Sequence, residues 1–198
     1  MEGAAGMESI PKTYPDLLRA LFLLKPPALV FGGFAQDALI AGTSRREHGD
    51  VDVIVWRDEL EARLADFAPL GFESFETHFE LQPGRPLVIG ATSRTGLSLE
   101  PTVLDREGGA PFGDLPAADG IVRVWLTRDI DTHPAVSLDG VTFKCVSPLA
   151  QYQLRAALEI TGAFGDMRDR DREGQTELRM RYFSDATDDE LAPRVELL

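Results

Sequence analysis

The chain has one cysteine, Cys145, so no internal disulfide can form and a reducing cytoplasm is the expected setting. Within Val-Thr-Phe-Lys-Cys-Val-Ser-Pro that thiol reads as a core residue, not a nucleophile. Long apolar runs are missing as well. The longest, near residues 17–24, is interrupted by Arg19 and falls short of the roughly 20 residues that span a bilayer, so no membrane partner is expected. The opening residues, MEGAAGMESIPK, lack a signal peptide's basic start and apolar core. Positive charge is scarce: 20 Lys and Arg stand against 33 Asp and Glu, for a formal net charge of −13. That balance weighs against a nucleic-acid partner, which calls for a basic footprint, and favours a cationic small molecule. There are no repeats and no low-complexity tract.

What is present suits a globular domain. Hydrophobic residues make up 43% of 198 residues, enough for one domain with a real core. The most informative stretch is residues 28–55, ALVFGGFAQDALIAGTSRREHGDVDVIV. It reads as a buried strand, a Gly-Gly turn, a short helix, a polar loop and a second strand. Asp50 and Asp52 lie two residues apart on the second strand, so both face one side, while Val51, Val53 and Val55 face the other. Two carboxylates so placed repel each other unless a cation lies between them. An all-oxygen set of this kind suits Mg²⁺ shared with substrate phosphates. Upstream, Gly32 and Gly33 open a helix with bare N–H groups, which is the making of an anion site.

Along the chain, the spacing predicts a helix over residues 15–24, ended by Pro26 and Pro27. Residues 28–31 read as a strand and 33–41 as a helix, with Phe34, Ala38 and Ile40 or Ala41 turned inward and Gly42 as its C-cap. A charged loop, 43–49, leads to a strand over 51–55, and 58–67 form an amphipathic helix closed by Gly71. Three strands follow, over 72–77 or to 81, 86–92 and 97–104. Residues 107–120, rich in Gly and Pro, read as loop, and 122–126 and 141–146 as two more strands with an Asp139-Gly140 turn. Helices are expected over 149–161 and 169–183, with a break at 162–165 and one or two more turns over 188–197. The alternating charges of 168–173 read as a solvated helix start. The fold class is therefore α/β (α+β): a mixed sheet flanked by helices over residues 1–147, with a small helical region, 148–198, packed on it.

Gly32-Gly33-Phe34-Ala35-Gln36-Asp37-Ala38, followed by Arg46-Glu47-His48-Gly49-Asp50-Val51-Asp52, resembles the nucleotidyltransferase superfamily with the DNA polymerase β-like fold. Within it the string is similar to the aminoglycoside and lincosamide nucleotidyltransferase branch, with Phe34 where that branch has Trp. The resemblance implies a third acid on a later strand, for which Glu100 is the candidate; Ser98 stands where the relatives carry Asp. It implies Asp50, Asp52 and Glu100 as catalytic and metal-binding residues, with Gly32, Gly33, Ser44, Arg46 and His48 at the nucleotide. Asp37 is expected to hold the loop through hydrogen bonds. The activity implied is Mg²⁺-dependent transfer of AMP from ATP to a hydroxyl of a small acceptor, cationic and aminoglycoside- or lincosamide-like. A second reading stays open because Ser98 cannot serve as a carboxylate base: a weak or inactive relative that binds nucleotide or a protein partner, as in a toxin–antitoxin-like pair. His78 and His133 have no assigned place, and Asp105, Asp114 and Asp119 are candidate linings of an acceptor pocket.

Overall fold

A computed structural model describes residues 9–162 and 168–198. In order the elements are α1 (Tyr14–Leu23), β1 (Leu29–Phe31), α2 (Gly32–Ile40), β2 (Val51–Trp56), α3 (Leu60–Phe67), β3 (Glu76–Gln82), β4 (Arg85–Thr92), β5 (Ser98–Glu107), β6 (Ala110–Ala117), β7 (Gly120–Trp125), β8 (Val136–Leu138), β9 (Val141–Phe143), α4 (Pro148–Thr161), α5 (Asp169–Tyr182), α6 (Asp188–Leu191) and β10 (Arg194–Leu197). Among the described residues no helix is long and apolar enough to cross a membrane.

The sheet is mixed and branches at β5. One half of β5 lies parallel to β2 and antiparallel to β4, and its last residues pair with β6. The main path runs β1-β2-β5-β6-β7-β10, with the β3–β4 hairpin attached through β4. β8 and β9 form a separate hairpin, tied to β1 by bonds from Val30 N–H to the Lys144 carbonyl (3.0 Å) and from Val146 N–H to the Val30 carbonyl (2.9 Å).

Alternation along β2 and β5 divides the interior in two. Val51, Val53, Val55, Leu99 and Val103 face a core shared with Leu17, Leu18 and Leu21 of α1 and with Phe67 and Phe143. Cys145 is fully buried there, and burial pushes its thiol up to about 12, so it is an inert core residue as its context implied. On the other face, Ile54, Leu104, Leu115, Val124 and Leu126 pack beneath Ala150 and Ala157 of α4. Asp52 and Glu100 belong to this second face.

Three expectations need correction. Residues 107–120 are not a loop: Ala110–Ala117 is a strand paired residue by residue with β7. Its Pro111 lacks a donor, yet its carbonyl accepts from Leu126 N–H (2.9 Å), and Phe112 and Leu115 are buried. The glycines that suggested a loop make the tight turn at 108–109, both with positive φ. Residues 188–197 do form one helical turn, closed by a Thr187–Glu190 capping box, but residues 194–197 then form an unexpected strand on β7. Helix α2 is buried nearly all round, with Phe34, Ala35 and Leu39 in the core and Ala38 and Ile40 only partly covered.

That burial extends to α5. Gly174 would weaken an exposed helix by about 1 kcal/mol, but here a Cβ would overlap the side-chain amide of Gln36 on α2, itself 4% exposed. The missing side chain lets α5 dock. Replacing Gly174→Val is therefore expected to destabilise the chain by about 1–3 kcal/mol despite removing a helix-weakening residue, read as a lower urea midpoint with unchanged m-value; a midpoint that rises would refute the docking role.

Candidate active site

The parallel β2–β5 register sets Asp52 opposite Glu100, with Val51 opposite Leu99. Asp50 closes the loop just ahead of β2 and lies near enough to raise the affinity of Asp52 for a proton. Burial, then the charges of Asp50 and Glu100, push Asp52 up to about 7, against the pull of Arg155 and a hydrogen bond from Gly33 N–H. Glu100 is raised too, by burial and then by Asp50, with His78 acting in the opposite direction. His78 Nδ1 lies 3.5 Å from Glu100 Oε1. It reaches across β4 because Gly90 has no side chain there; a Cβ would run into the imidazole.

The Gly-Gly turn sits directly on these acids. Gly32 has φ +69°, a left-handed conformation, and a Cβ on it would overlap the Asp52 carboxylate. The expectation of two bare N–H groups is not met. Gly32 N–H donates to Gln151 Oε1 (3.1 Å), Gln151 Nε2 donates back to the Gly32 carbonyl (3.3 Å), and Gly33 N–H bonds Asp52. Both glycines are buried by the docking of α4, which brings Gln151, 1% exposed, over the turn.

The loop before β2 hangs from Asp37, as expected. This buried carboxylate accepts from Arg45 N–H (2.9 Å), Arg45 Nε (3.2 Å) and His48 Nε2 (2.9 Å). Burial works against its charge, but these bonds outweigh it and hold its pKa below the usual range. His48 is buried, stacks on Phe34 at 4.2 Å between centroids and abuts Gly33, so it props the turn from behind. Ser44 sits at the loop's outer end, its N–H on Asp139 (3.0 Å) and its hydroxyl donating to the Arg46 carbonyl (2.9 Å). Arg45 also pairs with Glu177 of α5.

Arg46 leads to the part of the site that the sequence did not reveal. It faces Asp171 (3.8 Å), as do Arg155 of α4 (3.6 Å) and Arg168 (2.8 Å). Burial and the nearby charge of Arg170 lower the Arg46 pKa, while Asp171 is held low by its arginines against the cost of its own burial. Several guanidiniums thus share one buried carboxylate beside the Asp52 acids. Arg155 Nε and Asp171 Oδ1 are buried without a hydrogen-bond partner. The reading of 168–173 as a solvated helix start fails at Asp171, which is 3% exposed. One clue existed: Gln151 and Arg155 are four apart, so they share one face of the helix. Of the other candidates, Asp105 pairs with Arg57 and Arg85, and Asp114 with Arg123, so both serve strand-to-strand contacts. His133 gives its carbonyl to Lys144.

The donor set of Asp50, Asp52 and Glu100 is all carboxylate and crowded with like charge, which fits a hard divalent cation such as Mg²⁺. Among the described residues, though, no three His, Cys, Asp or Glu side chains are gathered closely enough to make a ready cluster.

No protein-family model matches the chain, and no curated protein matches it. Solved structures do. The crystal structure of ANT(2")-Ia in complex with adenylyl-2"-tobramycin aligns with TM-score 0.59 and 17% identity over 88% of this chain and 88% of that one. The solution structure of antibiotic-resistance factor ANT(2'')-Ia aligns with TM-score 0.58 and 18% identity over 85% of this chain and 81% of that one. The lincomycin-bound lincosamide antibiotic adenylyltransferase LnuA aligns with TM-score 0.50 and 17% identity over 77% and 85%. At this identity the likeness establishes the fold, and it is the fold that the Gly-Gly and Asp-Val-Asp strings pointed to.

The raised pKa of Asp52 has a stability consequence. Its folded value of about 7 exceeds the ordinary 3.8, so between those pH values the folded chain holds a proton that the unfolded chain releases. Stability therefore falls as pH rises through that window, by an upper bound of roughly 4 kcal/mol. Asp52→Asn is expected to raise the melting temperature at pH 8 and to leave it nearly unchanged at pH 4; equal shifts at both pH values would contradict this origin.

Proposed function

We propose, from a fold shared with antibiotic nucleotidyltransferases, that this chain transfers AMP from ATP to a hydroxyl of a small-molecule acceptor with Mg²⁺ as cofactor. One observation carries the reading. Crowded carboxylates, which attract a cation, adjoin a group of arginines that outnumbers its carboxylate, which attracts an anion. A Mg²⁺-nucleoside triphosphate carries both charges.

Asp50 and Asp52 would hold the metal, with Glu100 beside them once it leaves His78. Bound Mg²⁺ would supply the positive charge that lets phosphate oxygens and carboxylates share one site. The buried N–H of Arg155 and the Arg46 guanidinium bind the outer phosphates, the role that the sequence assigned to the glycine amides. Gly32 and Gly33 instead keep the wall at Asp52 free of side chains. The acceptor oxygen then attacks the α-phosphorus in line, the bond to the β-phosphate's bridging oxygen breaks, and pyrophosphate leaves with the electron pair. The hydroxyl proton passes to Glu100.

The second reading, a weakly active or inactive binding module, draws on Ser98 and on the missing three-acid cluster. Ser98 opens β5 with its N–H on the Tyr14 hydroxyl (3.4 Å), at the same strand end as the acids.

The test is pyrophosphate release and label transfer from α-labelled ATP with Mg²⁺ and a panel of small hydroxylated acceptors. Asp50→Ala is expected to bring release to background. Arg155→Ala should raise the KM for ATP by roughly 10-fold or more, the value of a lost charge-assisted bond, with a smaller change in kcat. Wild-type silence with every acceptor, followed by activity in Ser98→Asp, would select the second reading.

A further inference from the structure

The second core is hollow. Between α4 and the sheet lies a cavity of about 180 Å³ whose lining includes Asp52, Glu100 and Arg155. Its walls are aliphatic: Leu87, Leu104, Leu115, Val124, Leu126 and Ala157 are each less than a tenth exposed. Gly113 on β6 also lines it, and a Cβ there would press on Leu104 at 3.2 Å. Water inside would find few polar partners on these walls beyond Thr102 of β5, and an apolar cavity of roughly 150 Å³ is large enough to take a benzene ring. The polar groups in the lining other than Thr102 belong to the site already described, and Gln151 among them is occupied by Gly32.

We propose that this cavity receives the apolar body of the acceptor, which is an amphiphilic alcohol: a ring or branched alkyl group of about six to eight carbons bearing one exposed hydroxyl. The assignment rests on the transferase reading above. With the apolar part seated, the first polar atom outside the aliphatic walls stands among Asp52, Glu100 and Arg155, where an attacking oxygen is required. A purine is a poorer occupant, because its ring nitrogens and exocyclic amine would be buried against leucine and valine methyls without partners. A fully polar polyol or polyamine gains nothing from these walls. The bond changes are those of the transfer itself: the bond from acceptor oxygen to α-phosphorus forms, the bond from α-phosphorus to the bridging oxygen breaks, pyrophosphate leaves with that oxygen and the electron pair, and the hydroxyl proton is given to Glu100.

The experiment combines binding and turnover on the full chain. Methyl-resolved NMR with benzyl alcohol is expected to show saturable shifts at Leu115, Val124 and Leu126, and none with glycerol. Two variants that fill the space from opposite walls, Ala157→Leu on α4 and Gly113→Ala on β6, should weaken those shifts at least several-fold, with folding checked by melting temperature. In label transfer, kcat/KM over a series of primary alcohols should rise roughly fourfold per added methylene until the cavity is full and then fall. Loss of the benzyl alcohol shifts on adding MgATP would give the cavity to the base and overturn the proposal. So would transfer to a polyhydroxylated polyamine with no transfer to aromatic alcohols, unaffected by Ala157→Leu, an outcome that leaves the transferase reading standing. No pyrophosphate release with acceptors of either kind would instead remove the transferase reading and the acceptor role together, and saturable shifts would then mark a binding cavity without reaction.

Discussion

The contact between the Gly32-Gly33 turn and the Asp52 carboxylate is the constraint on which the site depends. A carboxylate buried beside two others is unfavourable, and Asp52 is raised to about 7 for that reason. It is held by Gly33 N–H at the start of α2, by the field of Arg155 and by a wall that carries no side chain. Gln151 fixes the Gly32 peptide from both sides, so the turn cannot tilt away from the acid. Any residue larger than glycine at position 32 would displace the one group that the surrounding structure is built to confine.

The helices α4 and α5 are consequently part of the site and not a support behind it. They deliver Gln151, Arg155 and Asp171, and they do so by packing against α2. The chain is strongly acidic overall, yet several of its arginines are drawn to one buried carboxylate near Asp52. Local placement, not net charge, sets the field that a triphosphate would meet, since charges a Debye length away are screened and buried ones are not. The formal charge of −13 therefore says little about the field around Arg46 and Arg155.

Stability and function pull in opposite directions here. A buried Arg155 Nε without a hydrogen-bond partner, a protonatable Asp52 and a hollow second core each lower the stability of the chain alone. All of them meet at one place, bounded by β2, β5 and α4. A fold optimised for stability alone would fill the cavity and neutralise the acids; features of this kind persist where a ligand compensates for them.

What depends on residues close together in the chain is written in the sequence. Alternation put Val51, Val53 and Val55 on one face and Asp52 on the other; Asp37 is eight to eleven residues from the Arg45 and His48 that it holds, and the turn, helix and strand of residues 28–55 form one local unit. Glu100 could be named only through the family resemblance, which implies a third acid on a later strand; that β5 lies beside β2 and sets Glu100 opposite Asp52 came from the fold. The remaining features arise from packing between distant segments. Gln151 meets Gly32 across 119 positions, and Asp171 meets Arg46 through the docking of α5, contacts that no local pattern encodes. The prolines and glycines of β6 read as loop because local propensity favours it, whereas pairing with β5 and β7 and burial of Phe112 and Leu115 make it strand. The cavity, too, exists only between surfaces that the chain brings together after folding, since it is the shape left when α4 spans the sheet without filling the space beneath it.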